Sequence, residues 1–324
     1  MFFAHVETYT IIIVMPKKFP IKNLIAYLLI FSVIPMLCGC EKRHEAYVSS
    51  STTLRDNTPN CLCPKDSGTN VYKDDYVLVD YSNASEGYVM IQYCGESDKV
   101  KIQITGPDYM TYTYDIHDNN IETFPISAGN GAYTIGVYEQ IEGTQYSVLY
   151  QGDYDFQVTN EMGAFLYPNQ YVKFNKDSKI VPIAQSAVST AHDDLEAISY
   201  IYNYVIENMS YDVEMAENIE NDYVPDPDRA LAKGSGICLD YASMMTAMLR
   251  SQRIPTRMEV GYAGSAYHAW ISTYAENIGW INGIVEFDGT NWSIMDPTVA
   301  DNSGEEALVS FIGDGGSYMT KYIY

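Results

Sequence analysis

The sequence is poor in positive charge. Among its 324 residues, Lys and Arg number only 19 against 42 Asp and Glu, and the formal net charge at pH 7 is −23. A surface this acidic repels nucleic acid and anionic lipid headgroups, so neither is expected as a direct binding partner. The charge is better interpreted as a source of solubility than as a sign of a cationic substrate.

The sequence also lacks the common motifs of nucleotide and metal binding. It contains no GxxxxGK[ST] phosphate loop, no HExxH zinc helix, no dinucleotide fingerprint and no EF-hand calcium loop. Cys61-Leu-Cys63 is too small a group to predict a zinc site. No cofactor and no metal are therefore expected. Hydrophobic residues make up 47% of the chain, which is enough for two domains with their own cores.

The N-terminal apolar segment is too short for a membrane span. The mostly apolar stretch from Leu24 to Leu37 falls below the about 20 residues that a transmembrane helix needs. Lys17, Lys18 and Lys22 precede it, as in a secretory signal peptide. An uncleaved anchor helix is the alternative, and Met15 is a second candidate for the first residue.

The end of this segment, Leu37-Cys38-Gly39-Cys40, resembles a bacterial lipobox. The resemblance implies cleavage before Cys40 and lipidation of that cysteine. We therefore expect residues 1–39 to be a lipoprotein signal peptide. The mature protein would be extracytoplasmic and anchored to the cell membrane by lipid. Cys61, Cys63, Cys94 and Cys238 would remain, and the sequence leaves the pairing of the first three open.

Two further segments precede the helical part of the chain. Residues 40–70 are rich in Ser, Thr, Asn, Asp and Pro, and they are predicted to be a flexible tether. Residues 71–160 show short runs of alternating hydrophobicity separated by turns, such as Val100, Ile102 and Ile104. The pattern predicts a small antiparallel β-sandwich, similar to an immunoglobulin domain. Its expected role is a spacer, with ligand binding by its tyrosines as the alternative.

Helical periodicity begins after residue 180. Apolar residues from Leu195 to Met209 recur three and four positions apart, which predicts a helix, and an acidic loop is predicted over 212–228. A second helix is predicted from about Ser235. Cys238 then falls in its first turn, where the helix dipole favours a thiolate and lowers the thiol pKa. From this segment alone, a buried structural cysteine is an equally good interpretation.

Two later segments supply candidate partners for that cysteine. Tyr267 to Ile271 is predicted to be a strand that places His268 and Trp270 on one face. A third strand is predicted to end at Asp296. Adjacent strands could place the carboxylate beside the imidazole, and the helix start could bring Cys238 to the other ring nitrogen.

This arrangement resembles the transglutaminase-like superfamily, which is related to the papain-like thiol peptidases. The residues that carry the resemblance are Gly236-Ile-Cys238-Leu-Asp-Tyr241, Leu249 to Arg257, His268-Ala-Trp270, Trp292 and Asp296-Pro-Thr298. The resemblance implies an α+β fold for residues 161–324. In such a papain-like transglutaminase core, the helix that carries the cysteine packs on an antiparallel sheet.

The resemblance also implies the chemistry. Cys238, His268 and Asp296 would form a catalytic triad that acts on peptide or amide bonds through a thioester. Tyr211 is a candidate for holding the oxyanion, with a core or loop tyrosine as the alternative. The expected activity is hydrolysis of a protein or peptide substrate, of which cell-wall peptide is one candidate. A protein-crosslinking transglutaminase and a non-catalytic surface binding protein are the alternatives.

Overall fold

The computed structural model describes residues 49, 51–116, 118–220, 222–263, 266–283, 286–287, 292–293 and 318–324. All of them belong to one compact unit, residues 44–324. The predicted signal peptide, residues 1–39, lies outside the described residues. Among the helices that are described, none has the length and hydrophobicity needed to cross a membrane.

The first half of the described chain is built from strands. Their bounds are Val71–Lys73 (β1), Val77–Asp80 (β2), Tyr88–Tyr93 (β3), Val100–Thr105 (β4), Thr111–Ile116 (β5), Glu122–Pro125 (β6), Gly131–Glu142 (β7) and Gln145–Phe156 (β8). They form two antiparallel sheets with the strand orders β1-β2-β3-β6 and β5-β4-β7-β8.

Alternation of buried and exposed residues explains these strands. In β4, Val100, Ile102 and Ile104 are buried, while the residues between them are partly exposed. The two sheets meet through aromatic rings, since Tyr114 of β5 lies 4.8 Å from Phe124 of β6, centroid to centroid. The predicted strands and the pairing of two sheets are therefore confirmed. The likeness to an immunoglobulin domain stays a prediction.

The second half begins with helices and two short strands. Their bounds are Ile180–Ala187 (α1), Asp194–Asn208 (α2), Ser210–Tyr211 (β9), Val213–Glu217 (α3), Pro227–Lys233 (α4), Ser235–Gly236 (β10) and Cys238–Ser251 (α5). Helix α2 confirms the predicted periodicity. It is capped by Asp193, whose carboxylate accepts a hydrogen bond from the Glu196 N–H at 2.9 Å.

Two predictions in this region were wrong. The acidic segment 212–228 is not a continuous loop, because Asp212 caps α3 and Asp226 caps α4, with Pro227 at the first helical position. The helix that carries the cysteine does not begin near Ser235. Residues 235–236 pair as strand β10 with β9, so the helix starts later, at Cys238.

The remaining strands are Thr256–Ala263 (β11), Ala266–Ala275 (β12), Gly279–Ile281 (β13), Glu286–Phe287 (β14), Trp292–Ser293 (β15) and Tyr318–Ile323 (β16). An antiparallel sheet has the order β13-β12-β11-β16, and β14 pairs with β15. Helix α5 contacts β11 and β12. Met244, Met248, Met258 and Ile271 are fully buried in the shared core. Burial of each such side chain stabilises the fold by about 1.5–3 kcal/mol.

The segment that precedes β1 lies against the helices. Arg55 forms an ion pair of 2.6 Å with Asp194 at the start of α2. The Asn60 N–H donates a 2.8 Å hydrogen bond to the Ser251 carbonyl at the end of α5. Arg253 and Asp56 form a further ion pair at 3.0 Å. Residues 55–60 are thus held on the folded unit, in contrast to the flexible tether predicted for residues 40–70.

Candidate active site

Cys238 is the first residue of α5, and the preceding glycines explain how the chain brings it there. Gly234 ends α4 in the left-handed conformation, with φ of 66°. Gly236 then pairs with Tyr211 in the parallel β9–β10 pair. A Cβ atom at Gly236 would lie 2.6 Å from Cβ of Asp240, so only glycine fits there without displacing the aspartate.

Asp240 fixes the turn that leads into α5. One carboxylate oxygen accepts a hydrogen bond from the Ile237 N–H at 3.0 Å, and the other accepts one from the Tyr223 hydroxyl at 2.5 Å. Arg229 donates to that same hydroxyl at 3.0 Å. Since Asp240 is buried, these bonds compensate its lost hydration. The loop around Tyr223 is thereby attached to the helix start that carries Cys238.

The Cys238 sulfur lies among backbone N–H groups. It accepts a hydrogen bond from the Ala269 N–H on β12. The N–H groups of Leu239 and of Cys238 itself also donate to it. These donors favour the thiolate. Burial acts in the opposite sense and is the larger effect, so the thiol pKa is raised above its usual value. The nearby Asp240 carboxylate raises it further. The lowered pKa predicted from the helix dipole was therefore wrong.

His268 stands on β12, immediately before the residue that contacts the sulfur. It pairs with Gly261 of β11 in the antiparallel register. Its ring lies 6.4 Å from the Trp270 ring, centroid to centroid, with 28° between their planes. The prediction that His268 and Trp270 share one face of the strand is confirmed. The structure thus brings the cysteine helix to the strand of the predicted base.

Tyr211 also lies close to the cysteine. Its strand is paired with the residues just before Cys238, and its ring lies 6.5 Å from that of Tyr241 on α5. Burial raises the pKa of the Tyr211 hydroxyl, and the charge that Cys238 gains on ionisation acts in the same direction. The hydroxyl is therefore protonated at neutral pH and able to donate a hydrogen bond.

Two predicted site residues, Asp296 and Cys40, lie outside the described residues. Among the cysteines that are described, Cys61, Cys63, Cys94 and Cys238 are all free thiols. No cluster of three or more His, Cys, Asp or Glu side chains that could hold a metal ion occurs within the described ranges.

Sequence reasoning missed the contact between Tyr223 and Asp240. The aspartate carried a usable signal, because an acidic residue in the first turn of a helix commonly accepts a hydrogen bond from the backbone before it. Tyr223 carried no such signal in the sequence. It stands in an acidic stretch, and its partner lies 17 residues away along the chain.

Comparison with known families finds a match over the segment that holds this site. Residues 182–283 match the transglutaminase-like superfamily, and the matched segment contains Tyr211, Cys238 and His268. The predicted resemblance is confirmed over these residues. No curated protein matches the chain.

Three similar solved structures come from bacteria. A candidate cysteine protease of Cytophaga hutchinsonii is 15% identical, with 71% of this chain and 69% of that chain covered and a TM-score of 0.33. The periplasmic domain of TgpA from Pseudomonas aeruginosa is 14% identical, with 77% of this chain and 80% of that chain covered and a TM-score of 0.29. A candidate protease of Parabacteroides distasonis is 16% identical, with 55% of this chain and 36% of that chain covered and a TM-score of 0.27. Similarity at this level carries no conclusion about activity.

Proposed function

We propose that this transglutaminase-like chain is a thiol enzyme that hydrolyses peptide or amide bonds, with Cys238 as its nucleophile. One observation carries the proposal: Cys238 begins α5, and its sulfur contacts the backbone of Ala269, next to His268. Both residues fall within the segment that matches the family. His268 is proposed as the general base and Asp296 as the residue that orients it.

In the first half of the proposed reaction, the Cys238 sulfur attacks the carbonyl carbon of the substrate amide. His268 takes the thiol proton and then gives it to the leaving amine, which yields a thioester. In the second half, water attacks the thioester and His268 takes its proton. The carboxylic acid leaves and the thiol is restored.

The environment of the sulfur supports this role for a base. Because burial raises the Cys238 pKa, the sulfur carries its proton at neutral pH. A thiol is a much weaker nucleophile than a thiolate. Proton removal at the moment of attack is therefore needed, and an imidazole on the neighbouring residue of the contacting strand suits that task.

Negative charge that develops on the substrate oxygen needs hydrogen-bond donors. The N–H groups of Cys238 and Leu239 lie at the start of α5, where a helix has no internal acceptors for them. We propose that they stabilise the oxyanion together with the Tyr211 hydroxyl, which burial keeps protonated.

The proposed substrates are proteins or peptides outside the cytoplasm, with cell-wall peptide as a candidate. The lipobox resemblance at Cys40 supports a lipid anchor in the cell membrane. Recovery of a Cys40→Ser variant in the membrane fraction to the same extent as the natural chain would contradict the anchor.

The test of the enzyme proposal compares two variants in an otherwise identical background. In a chain with Cys61, Cys63 and Cys94 changed to Ala, Cys238 is the remaining described thiol. A thiol-directed acyl donor should form an acyl-enzyme at Cys238, seen by peptide mass spectrometry. Addition of Cys238→Ala should abolish it and lower turnover by at least about 10⁴-fold, with the circular dichroism spectrum unchanged.

The same experiment distinguishes hydrolysis from protein crosslinking. Release of a free acid supports hydrolysis, whereas incorporation of an added amine into a glutamine peptide would show crosslinking instead. Absence of an acyl-enzyme at Cys238, in a folded chain and with several acyl donors, would refute the enzyme proposal.

A further inference from the structure

The face of the sheet that packs on α5 continues past the start of that helix. On β12, Ile271 and Ala269 lie on this face and are buried, whereas Tyr267, the next residue on the same face, is 56% exposed. On β11, Val260 is buried in the same way, and Tyr262 is partly exposed. The buried part of the face therefore ends at Ala269, and the next row of side chains is accessible to solvent.

Three neighbouring strands contribute to that accessible row. Tyr262 of β11 pairs with Tyr267 of β12 on one side and with Met319 of β16 on the other, so the three side chains share one face. The rings of the two tyrosines lie 5.5 Å apart, centroid to centroid, with 69° between their planes. Met319 is 58% exposed. Tyr262, Tyr267 and Met319, here called the apolar row, thus present two rings and a thioether side by side.

The apolar row lies beside the Cys238 sulfur. Tyr267 comes two residues before Ala269, whose N–H donates to that sulfur, and such residues lie about 7 Å apart on one face of a strand. Burial raises the pKa of the Tyr267 hydroxyl, and the charge that Cys238 gains on ionisation adds to the rise. A group bound on the row would therefore lie within about two residues of the substrate bond that Cys238 attacks.

The chemistry of the apolar row favours an aromatic side chain. Aromatic rings pack edge-to-face on tyrosines and against methionine sulfur, and both contacts add to the gain from burying apolar area. Lys321 lies at the edge of the row, with its Nζ 5.0 Å from the centre of the Tyr262 ring. An acidic side chain would gain from this lysine, but the net charge of −23 on the chain repels it.

We propose that the apolar row of Tyr262, Tyr267 and Met319 is a subsite that binds an aromatic side chain of the peptide substrate, close to the bond attacked by Cys238. This role rests on the proposed function, because a substrate side chain is held there only if Cys238 reacts with a peptide. Binding itself requires no chemistry, so it is measured apart from the reaction.

Binding is tested by NMR of the full chain with isotope-labelled methionine methyl groups and with Cys238 changed to Ala, which prevents reaction. The probe is N-acetylphenylalanine methylamide, and the methylamides of N-acetylalanine and N-acetylaspartate are the controls. We expect a saturable shift of the Met319 methyl resonance with the phenylalanine probe, with a Kd of about 10 mM. The two controls should bind at least about fivefold more weakly.

A set of tyrosine variants tests the contact. Tyr267→Ala deletes one ring of the row, so the affinity for the phenylalanine probe should fall at least about fivefold. Tyr267→Phe keeps the ring and should change the affinity less than about twofold. Tyr76→Ala is the control, since Tyr76 is 55% exposed but lies in the β-sandwich, and it should leave the affinity unchanged.

A second measurement tests whether the subsite lies beside Cys238. In the chain with Cys61, Cys63 and Cys94 changed to Ala, N-benzyl iodoacetamide should alkylate Cys238 at least about fivefold faster than N-methyl iodoacetamide. Tyr267→Ala should reduce this ratio to less than about twofold. Because both reagents meet the same thiol at the same pH, a changed thiol pKa does not alter the ratio.

Four results would overturn the subsite. They are no saturable Met319 shift with the phenylalanine probe, tighter binding of the aspartate probe, an unchanged affinity in Tyr267→Ala, and equal alkylation rates for the two reagents. Failure of the enzyme proposal is distinguishable from these. Binding of the phenylalanine probe without an acyl-enzyme at Cys238 would refute the reaction and with it the substrate role. An acyl-enzyme without binding of the probe would refute the subsite alone.

Discussion

At the scale of single residues, the surroundings of Cys238 shift the pKa of its thiol in opposite directions. Backbone N–H groups favour its charged form, while burial and the Asp240 carboxylate disfavour it. Burial is the largest of these, so the resting thiol is protonated and its reactivity depends on a base. This differs from a site in which the thiolate is formed in advance by the helix dipole alone.

The first prediction concerns the pH dependence of Cys238 alkylation. Because the folded-state pKa is raised, the alkylation rate by iodoacetamide should still be rising with pH at the ordinary thiol value of about 8.5 and should level off only above it. Asp240→Asn removes a like charge and should move the curve to lower pH. Asp177→Asn, which alters an exposed ion pair with Lys176, should leave it unchanged. A plateau already reached at mildly acidic pH would show instead a preformed thiolate.

The second prediction concerns Tyr211. If its hydroxyl stabilises the oxyanion, Tyr211→Phe should slow acylation by p-nitrophenyl acetate by about 10²-fold in kcat, with little change in KM. Tyr204→Phe, on α2, is the matched control and should change kcat less than about threefold. A similarly small effect for Tyr211→Phe would assign Tyr211 to packing alone.

At the scale of secondary-structure elements, the contact from Tyr223 to Asp240 connects a loop to the start of α5. The Tyr223 hydroxyl donates a hydrogen bond to the buried Asp240 carboxylate and accepts one from Arg229. The carboxylate in turn holds the Ile237 N–H just before Cys238. Disorder in this loop would therefore release the turn that positions Cys238.

The third prediction follows from that connection. Tyr223→Phe should lower the free energy of unfolding by about 2 kcal/mol, because the buried Asp240 carboxylate loses a hydrogen bond. Urea denaturation should show a lower midpoint with an unchanged m value. Tyr76→Phe, at a 55% exposed position, should have no measurable effect. A Tyr223→Phe midpoint equal to that of the natural chain would mean that the contact contributes nothing to stability.

Local signals explain which elements could be predicted from the sequence. Strand β4 was predictable because every second residue is apolar, and α2 because its apolar residues recur at helical spacing after Asp193. The start of α5 was misplaced because residues 235–236 are held by pairing with residues 210–211. Such pairing between distant segments leaves no periodic signal.

The candidate site was predictable in part. The order of Cys238 and His268 pointed to the family because those residues stand in short, specific motifs, and the structure brings their elements together. The sign of the Cys238 pKa shift was not predictable. It depends on how deeply the sulfur is buried against β12, which is a property of packing and not of the helix that carries it.

At the scale of the whole molecule, tyrosines join the β-sandwich to the part of the chain that carries Cys238. Tyr171 stacks on Tyr324 with 4.1 Å between ring centroids, and Tyr114 of β5 lies 6.2 Å from Tyr171. Tyr112 packs edge-on against Tyr324 at 5.8 Å, and its hydroxyl accepts a hydrogen bond from the Ile323 N–H at 3.2 Å. Burial raises the pKa of all four tyrosine hydroxyls.

The fourth prediction concerns alkaline stability. A tyrosine whose folded-state pKa lies above the unfolded value of about 10 stabilises the fold while it is protonated. This contribution to the free energy of unfolding is complete below about pH 10 and is lost as the pH rises through the raised pKa. Tyr241, for example, is 1% exposed and has its pKa raised to about 12. Phenolate absorbance and circular dichroism should show a second group of tyrosines that ionises together with unfolding. Ionisation of all 30 tyrosines in one step near pH 10, with the fold retained, would contradict this.

The attachment of residues 55–60 determines which end of α5 lies nearest the N-terminal segment. Arg55, Asp56 and Asn60 hold the C-terminal end of α5, whereas Cys238 occupies its first turn. At about 1.5 Å per residue, the two ends are about 20 Å apart. The described segment before β1 therefore holds α5 at the end opposite Cys238.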